Sequence, residues 1–253
     1  MDNEWVNGRV SLSIDGNPFE MNFRVPSNPL KLRRMLPVFQ KMADTFNDMG
    51  IAALEANGKS ISCKAGCGAC CRQLVPVSEA EAYDLRTLVD DMPEPRRTEI
   101  RRRFADGMAK LNESAYFDRL ERAAESADQE QYSEAVREYF GHQIACPFLE
   151  DESCSIHRSR PVACREYLVT SPAEHCASAI GEKIENVEYL FKVKDALISV
   201  ARNRLKRELP YIPMIQVVDW TETKNDDSAE RKGKEWMEVF FNELIGISRM
   251  SNT

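Results

Sequence analysis

The chain has only three histidines, and nowhere does an apolar run approach the ~18–20 residues that a membrane-spanning helix needs. Its first residues, MDNEWVNGRVSLSIDG, lack a basic stretch followed by an apolar one, so they do not read as a signal peptide. Together these absences predict a cytoplasmic protein with no membrane attachment, in a compartment where thiols stay reduced. There is no G-x-G-x-x-G, no phosphate loop and no Ser–His–Asp order, which removes the common nucleotide-binding and hydrolase signatures. Internal repeats and low-complexity tracts are also missing. An excess of positive charge is lacking too: 34 Lys and Arg stand against 41 Asp and Glu, a net charge of −7. No overall basic field exists to recruit nucleic acid or an anionic bilayer. The basic run Arg96, Arg97, Arg101, Arg102, Arg103 is interleaved with Glu94 and Glu99, and reads as a solvated helix face.

What remains is ordinary globular composition, 30% charged and 43% hydrophobic over 253 residues, enough for a sizeable core. Residues 1–28 predict a β-hairpin, with Trp5 to Ile14 and Phe19 to Val25 partly alternating around Asp15-Gly16-Asn17-Pro18. Asn28 and Pro29 offer a helix start. Leu32, Met35, Leu36, Phe39, Met42, Ala43, Phe46 and Ala53 then mark one face, with Pro37 kinking or delaying the helix and Asn57-Gly58 ending it. Ser78 with Glu81 predicts a capped helix to Asp91, stopped by Pro93. A further helical region carries Ile100, Phe104, Met108 and Leu111 on one face. Asp128 with Gln131 opens another helix through Phe140, ended by Gly141. The region 187–253 predicts helices over Val187 to Leu209 and Ala229 to Leu244, the latter opened by Ser228. Between them Pro210 to Trp220 reads as an edge strand or extended segment. The expected fold is one mainly α domain over 1–253, its helices packed around a cysteine-ligated centre, with the hairpin as its small β element.

Eight cysteines fall into two groups. SCKAGCGACCR places Cys63, Cys67, Cys70 and Cys71 at C-x3-C-x2-C-C, and a second stretch holds Cys146, Cys154 and Cys164, with Cys176 beyond it. In a reducing compartment, patterned cysteines point to metal before disulfides. Soft thiolates suit zinc, Cu(I) and iron–sulfur clusters, and closely spaced pairs let two sulfurs reach one metal without strain. Gly66 and Gly68 lie where the backbone must turn tightly, and Lys64, Arg72 and Arg165 flank cysteines, where positive charge offsets thiolates. Isolated cysteines are usually small buried hydrophobes, and that plain reading fits Cys176 best. The adjacent pair Cys70-Cys71 is expected to point in opposed directions and to share one ion only awkwardly. Seven or eight thiolates also exceed the four that a tetrahedral zinc accepts. Either two metal ions or a cluster with extra cysteines follows. Counting favours a centre shared by both groups, with Cys63, Cys67 and Cys70 acting together and Cys71 facing the Cys146–Cys164 segment.

The stretch from Ser62 to Cys176, a little under half the chain, resembles the YkgJ-type cysteine-cluster family of zinc- or iron-chelating domains. The matching residues are Cys63, Cys67, Cys70 and Cys71; Cys146-Pro147-Phe148-Leu149; Cys154-Ser155-Ile156-His157; and Arg160-Pro161-Val162-Ala163-Cys164-Arg165. The resemblance implies a zinc or iron–sulfur cofactor, with iron–sulfur slightly favoured because adjacent cysteines and more than four ligands fit a cluster better. A similar cysteine pattern occurs in flagellin lysine N-methylases, which use S-adenosylmethionine. Three roles follow: redox or S-adenosylmethionine-linked protein modification, a structural zinc module for interactions, or delivery of metal to a client. An unspecified protein partner or substrate is expected, and no catalytic residue is singled out. Arg160 and Arg165, both within the motif, are expected to donate to sulfur or to acidic partners at the cofactor. C-x3-C-x2-C also serves radical S-adenosylmethionine enzymes, but they build on alternating strands and helices, absent here. His157, three residues after Cys154, has ligand spacing, although the motif accepts Tyr there. His175 reads as part of a capped helix start over Ser171-Pro172-Ala173-Glu174, and His142 as a charge partner at a helix end.

Overall fold

The computed structural model describes residues 4–14, 17–126, 128–177, 183–189, 191–202 and 209–251. Among them are nine α-helices and a small amount of sheet, so the fold is mainly helical with an N-terminal hairpin. Strands β1 (Trp5–Ile14) and β2 (Asn17–Pro26) pair antiparallel from Trp5↔Pro26 to Ile14↔Asn17. This register leaves Asp15-Gly16 as the connection, shorter than the four-residue turn expected, and those two residues lie outside the described ones. Val6, Val10, Met21 and Phe23 face inward by the two-residue period of a strand and cover a core shared with helices over Leu36–Ala56 and Gly233–Ser251.

Helix α1 (Leu36–Ala56) begins later than Asn28-Pro29 suggests, after a 3-10 turn at Leu32–Met35. Pro37 explains the delay: it lacks an N–H and fits the first helical turn, where that donor has no partner anyway. Leu36, Phe39, Met42, Ala43 and Phe46 are buried, as the spacing predicts. Gly58 closes the helix with φ +72°, and the Lys59 N–H returns to the Leu54 carbonyl at 3.1 Å.

Helix α2 (Glu79–Asp90) opens on a complete capping box. The Glu81 carboxylate accepts the Ser78 N–H at 2.9 Å while the Ser78 hydroxyl accepts the Glu81 N–H at 3.3 Å. The other oxygen of Glu81 accepts the Val162 N–H at 2.8 Å. One buried carboxylate therefore joins α2 to the start of α6 (Val162–Glu166), and burial raises its pKa. Helices α3 (Arg96–Glu113), α4 (Tyr116–Glu125) and α5 (Gln129–Gly141) complete a helical block. Ile100, Phe104, Met108 and Leu111 enter its core, and the Asp128 carboxylate caps α5 through Glu130 and Gln131. The arginine run is a mesh of ion pairs: Arg97 to Glu94, Arg101 to Asp90 and Glu222, Arg102 to Glu99 and Asp106. It is a solvated helix face.

The C-terminal region departs from the sequence reading. Helix α7 (Val193–Arg202) starts after Val187 because residues 185–187 are drawn out beside Leu168–Thr170, with Val187 N–H on the Leu168 carbonyl at 2.8 Å. Glu166 caps it from α6, accepting the Val193 N–H at 2.7 Å and the Lys194 N–H at 3.2 Å. The end expected at Leu209 follows residues 203–208, which lie outside the described ones. The expected extended segment 210–220 is strand only at β6 (Ile212–Pro213), paired with β3 (Pro76–Val77); Met214–Gln216 then turns into α8 (Val217–Glu222). Burial of Val217, Val218 and Trp220 overrides the strand preference of two β-branched residues and an aromatic one. The last helix, α9, is Gly233–Ser251 rather than Ala229 to Leu244. Ser228 is engaged with Asp226, and Arg231 bridges to Leu30, so neither continues a helix. Among the described residues no helix is long and apolar enough to cross a membrane.

Replacing Glu81 with Ala should cost about 2–4 kcal/mol in urea unfolding, because it removes the cap and orphans the Val162 and Ser78 donors. Glu81→Gln, which keeps an acceptor, should recover part of that loss. Equal stability of Glu81→Ala and wild type would show that this junction is not structural.

Candidate metal centre

The first cysteine group is a loop hung between two anchors. The Ser62 N–H reaches the Val169 carbonyl at 2.8 Å, and the Val169 N–H donates to the Cys63 sulfur at 3.4 Å. Gly66 turns the chain with φ +79°, a conformation that favours glycine. Gly68 lies so close to the 149–152 segment that a Cβ would meet Leu149 at 2.6 Å and Glu152 at 2.7 Å. Cys70 and Cys71 sit on a 3-10 turn, Ala69–Arg72. At three residues per turn, successive side chains diverge by only about 120°, not the opposed directions of an extended chain. The two thiols therefore share a hydrogen bond, which lowers the Cys70 pKa to about 7 and raises that of Cys71.

The second group is stitched to the first through the backbone: the Cys146 N–H donates to the Cys71 carbonyl at 2.7 Å. Strands β4 (Leu149–Glu150) and β5 (Ser153–Cys154) form a minimal hairpin that sets Cys154 opposite Leu149. Its turn holds Asp151 and Glu152 at φ 47° and 56°, both left-handed, although neither is glycine. Glu152 is held there by Arg72, whose guanidinium makes contacts of 2.6 and 3.1 Å to the carboxylate and 2.9 Å to the Gly68 carbonyl. Cys164 rides on α6. Cys176 is buried on a 3-10 turn, Ala173–Ala177, where Gln73 holds its carbonyl at 3.1 Å and the Tyr167 hydroxyl at 2.8 Å. The Tyr167 hydroxyl in turn bonds the Cys176 thiol.

All eight cysteines line one cavity of about 530 Å³, with walls that include Phe148, Ile156, Leu168 and Met214. Burial pushes the Cys146 thiol up to about 12 and Cys176 up to about 11, and also raises Cys63, Cys154 and Cys164. Held in this way they are neutral thiols, and a bound cation would have to displace their protons. Among the described residues, no three Cys, His, Asp or Glu side chains converge tightly enough to hold an ion as they stand. Ligation must therefore turn sulfurs inward. The donor set fits a thiophilic metal or cluster, and so does Arg160, whose buried Nε–H has no hydrogen-bond partner. Its charge favours the thiolate form of Cys63, Cys70, Cys154 and Cys164.

The two motif arginines have different surroundings. Arg160 lines the cavity and places Nη1 2.8 Å from the Nε2 of His157; its charge lowers that histidine's pKa, and the Nε2 lone pair is thereby engaged. Arg165 does not line the cavity. It grips both Asp44 oxygens at 3.0 Å and donates to the carbonyls of Arg158 and Arg160, fixing the loop that carries Arg160 to α1. His142, four residues before Cys146, stacks edge-on against Tyr116 with Nε2 3.8 Å from Glu138 and does not line the cavity. His175 sits on the turn beside Cys176. Sequence reasoning missed Gln73, Glu152, Tyr167 and Asp44. The proximity of Tyr167 to Cys164 was a usable signal, whereas Asp44 on α1 reads only as an exposed helical acid.

Residues 62–188 match a family model, CxxCxxCC, described as "Putative zinc- or iron-chelating domain". No curated protein matches the chain, and no solved structure does.

Arg160→Ala should weaken metal retention under a competing chelator on the order of 10–100-fold, while the metal-loaded variant keeps the wild-type circular dichroism. Arg165→Ala should instead lower the melting temperature, since three acceptors lose their donor. Unaltered metal occupancy in Arg160→Ala would remove that residue from the centre.

Proposed function

The chain belongs to this zinc- or iron-chelating cysteine-cluster family, and we propose that it holds iron–sulfur in the eight-thiol cavity. One observation carries the reading: every cysteine of both groups lines the same space. A tetrahedral zinc takes four sulfurs, so eight around one cavity exceed what a single ion needs. Iron–sulfur clusters also take four cysteines each, and they occupy far more room than an ion. Cys63, Cys67, Cys70, Cys71, Cys146, Cys154, Cys164 and Cys176 are the candidate ligands. Arg160 compensates their charge, and Arg165 positions the loop that bears it.

Such a cluster supplies single-electron chemistry, which suits redox or S-adenosylmethionine-linked modification of a protein substrate in the cytoplasm. The chain's own part is to keep water from the sulfurs with Phe148, Ile156 and Met214, and to set their charge with Arg160. A structural zinc module is the second reading. It is favoured by the irregular ligand segments, which have little sheet or helix of their own and gain rigidity from a bound ion.

Protein purified without oxygen should be brown and contain iron with acid-labile sulfide. Chelation should lower its melting temperature and its circular dichroism. A colourless protein with stoichiometric zinc would move the function to the structural reading, and protein free of both metals would defeat the proposal.

A further inference from the structure

We infer that the cavity contains two four-sulfur centres side by side, Cys63, Cys67, Cys70 and Cys176 forming one and Cys71, Cys146, Cys154 and Cys164 the other. The inference rests on the metal-binding reading above and adds the partition of its ligands. It departs from the single shared centre that counting in the sequence favours.

The backbone makes the division. On the first side, the Ser62 and Val169 contacts bring the start of the cysteine loop against the segment leading to Cys176. The turn Ala69–Arg72 packs against the turn Ala173–Ala177, and Gln73, just past Cys70 and Cys71, holds the Cys176 carbonyl. Cys176 thereby stands as the fourth sulfur that C-x3-C-x2-C lacks. On the other side, the Cys71 carbonyl takes the Cys146 N–H at 2.7 Å, and the β4–β5 hairpin turns Cys154 back toward that strand of chain. Cys176 lies within electrostatic reach of Cys63, Cys67 and Cys70, and Cys71 within reach of Cys146, Cys70 and Cys164. Cys164 interacts with Cys146, Cys70 and Cys154, so Cys70 crosses between the two sets.

Adjacency then acquires a purpose. Two successive residues on a 3-10 turn send side chains about 120° apart, so Cys70 and Cys71 can each serve a different centre from one short turn. Cys70 is the hub, within electrostatic reach of members of both sets. Arg160 acts on Cys63 and Cys70 of the first set and on Cys154 and Cys164 of the second, so it compensates charge on both. Four sulfurs complete either a zinc site or a [4Fe–4S] cluster, so the division holds whichever metal is resident.

The test counts metal per chain in full-length protein purified without oxygen. Cys176→Ser and Cys154→Ser should each retain about half of the wild-type metal, and the double variant should retain almost none. Metal that disappears entirely in either single variant, or that is unchanged in both, would overturn the partition. Titration of metal-stripped wild type with cobalt(II) checks this without a substitution: two equivalents should enter with sulfur-to-cobalt charge-transfer absorption of equal strength. Saturation at one equivalent would overturn the two-centre arrangement while leaving the metal-binding function intact. Absence of any metal, both as purified and on titration, would instead overturn the functional reading.

Discussion

Thiolate charge is the constraint to which the rest of the molecule answers. A buried sulfur is neutral unless something cationic accompanies it, and desolvation raises most of these thiols. Eight of them around one cavity can ionise together only if metal and Arg160 supply the opposing charge. The protein therefore does not present a finished ligand cage. It presents sulfurs around one cavity, on loops whose backbones are tied by hydrogen bonds.

That fixing converges on α6, only five residues long. Its first N–H is held by Glu81 from α2, its Arg165 by Asp44 from α1, and its Glu166 carboxylate caps α7. Each contact comes from a different helix, so Cys164 in the middle is located by three elements that carry no ligand themselves. Asn47 adds a fourth tie, donating to the Arg165 carbonyl at 2.9 Å. A five-residue helix has little stability of its own. Here its position is a property of the surrounding bundle, which explains why the ligand loop can be irregular and still be placed.

Much of this was legible in the sequence where a local rule decides the outcome. The hairpin, the Ser78–Glu81 box, the Asp128 cap and the buried face of α3 all follow from periodicity and capping, and all formed. The membership of the cysteine cluster was equally plain, because its spacing is a chemical pattern. Failures came where a distant residue intervened. Val187 did not start a helix because Leu168 claimed its N–H, and α7 found its cap in Glu166 rather than in its own preceding residues. Asn28 and Ser228 are good caps by type, yet neither stands at a helix start. For Cys70 and Cys71 the error was conformational: an extended chain would oppose them, and the 3-10 turn does not.

The backbone bond from Cys146 to Cys71 also divides the chain topologically. Everything between them, α2 through α5, leaves the sulfur loops and returns to the same point, as a tethered excursion. Its near half is committed, since Phe104 packs edge-on against Phe148 in the cavity wall. At its far end, where α4 hands over to α5, the bonds of Ser126 and Asp128 are local, to Ala123, Glu130 and Gln131. Closing a longer excursion costs only the logarithm of its length. The tip is therefore free to grow, shrink or acquire a recognition surface during evolution, while the metal-binding crossing it springs from remains unmoved.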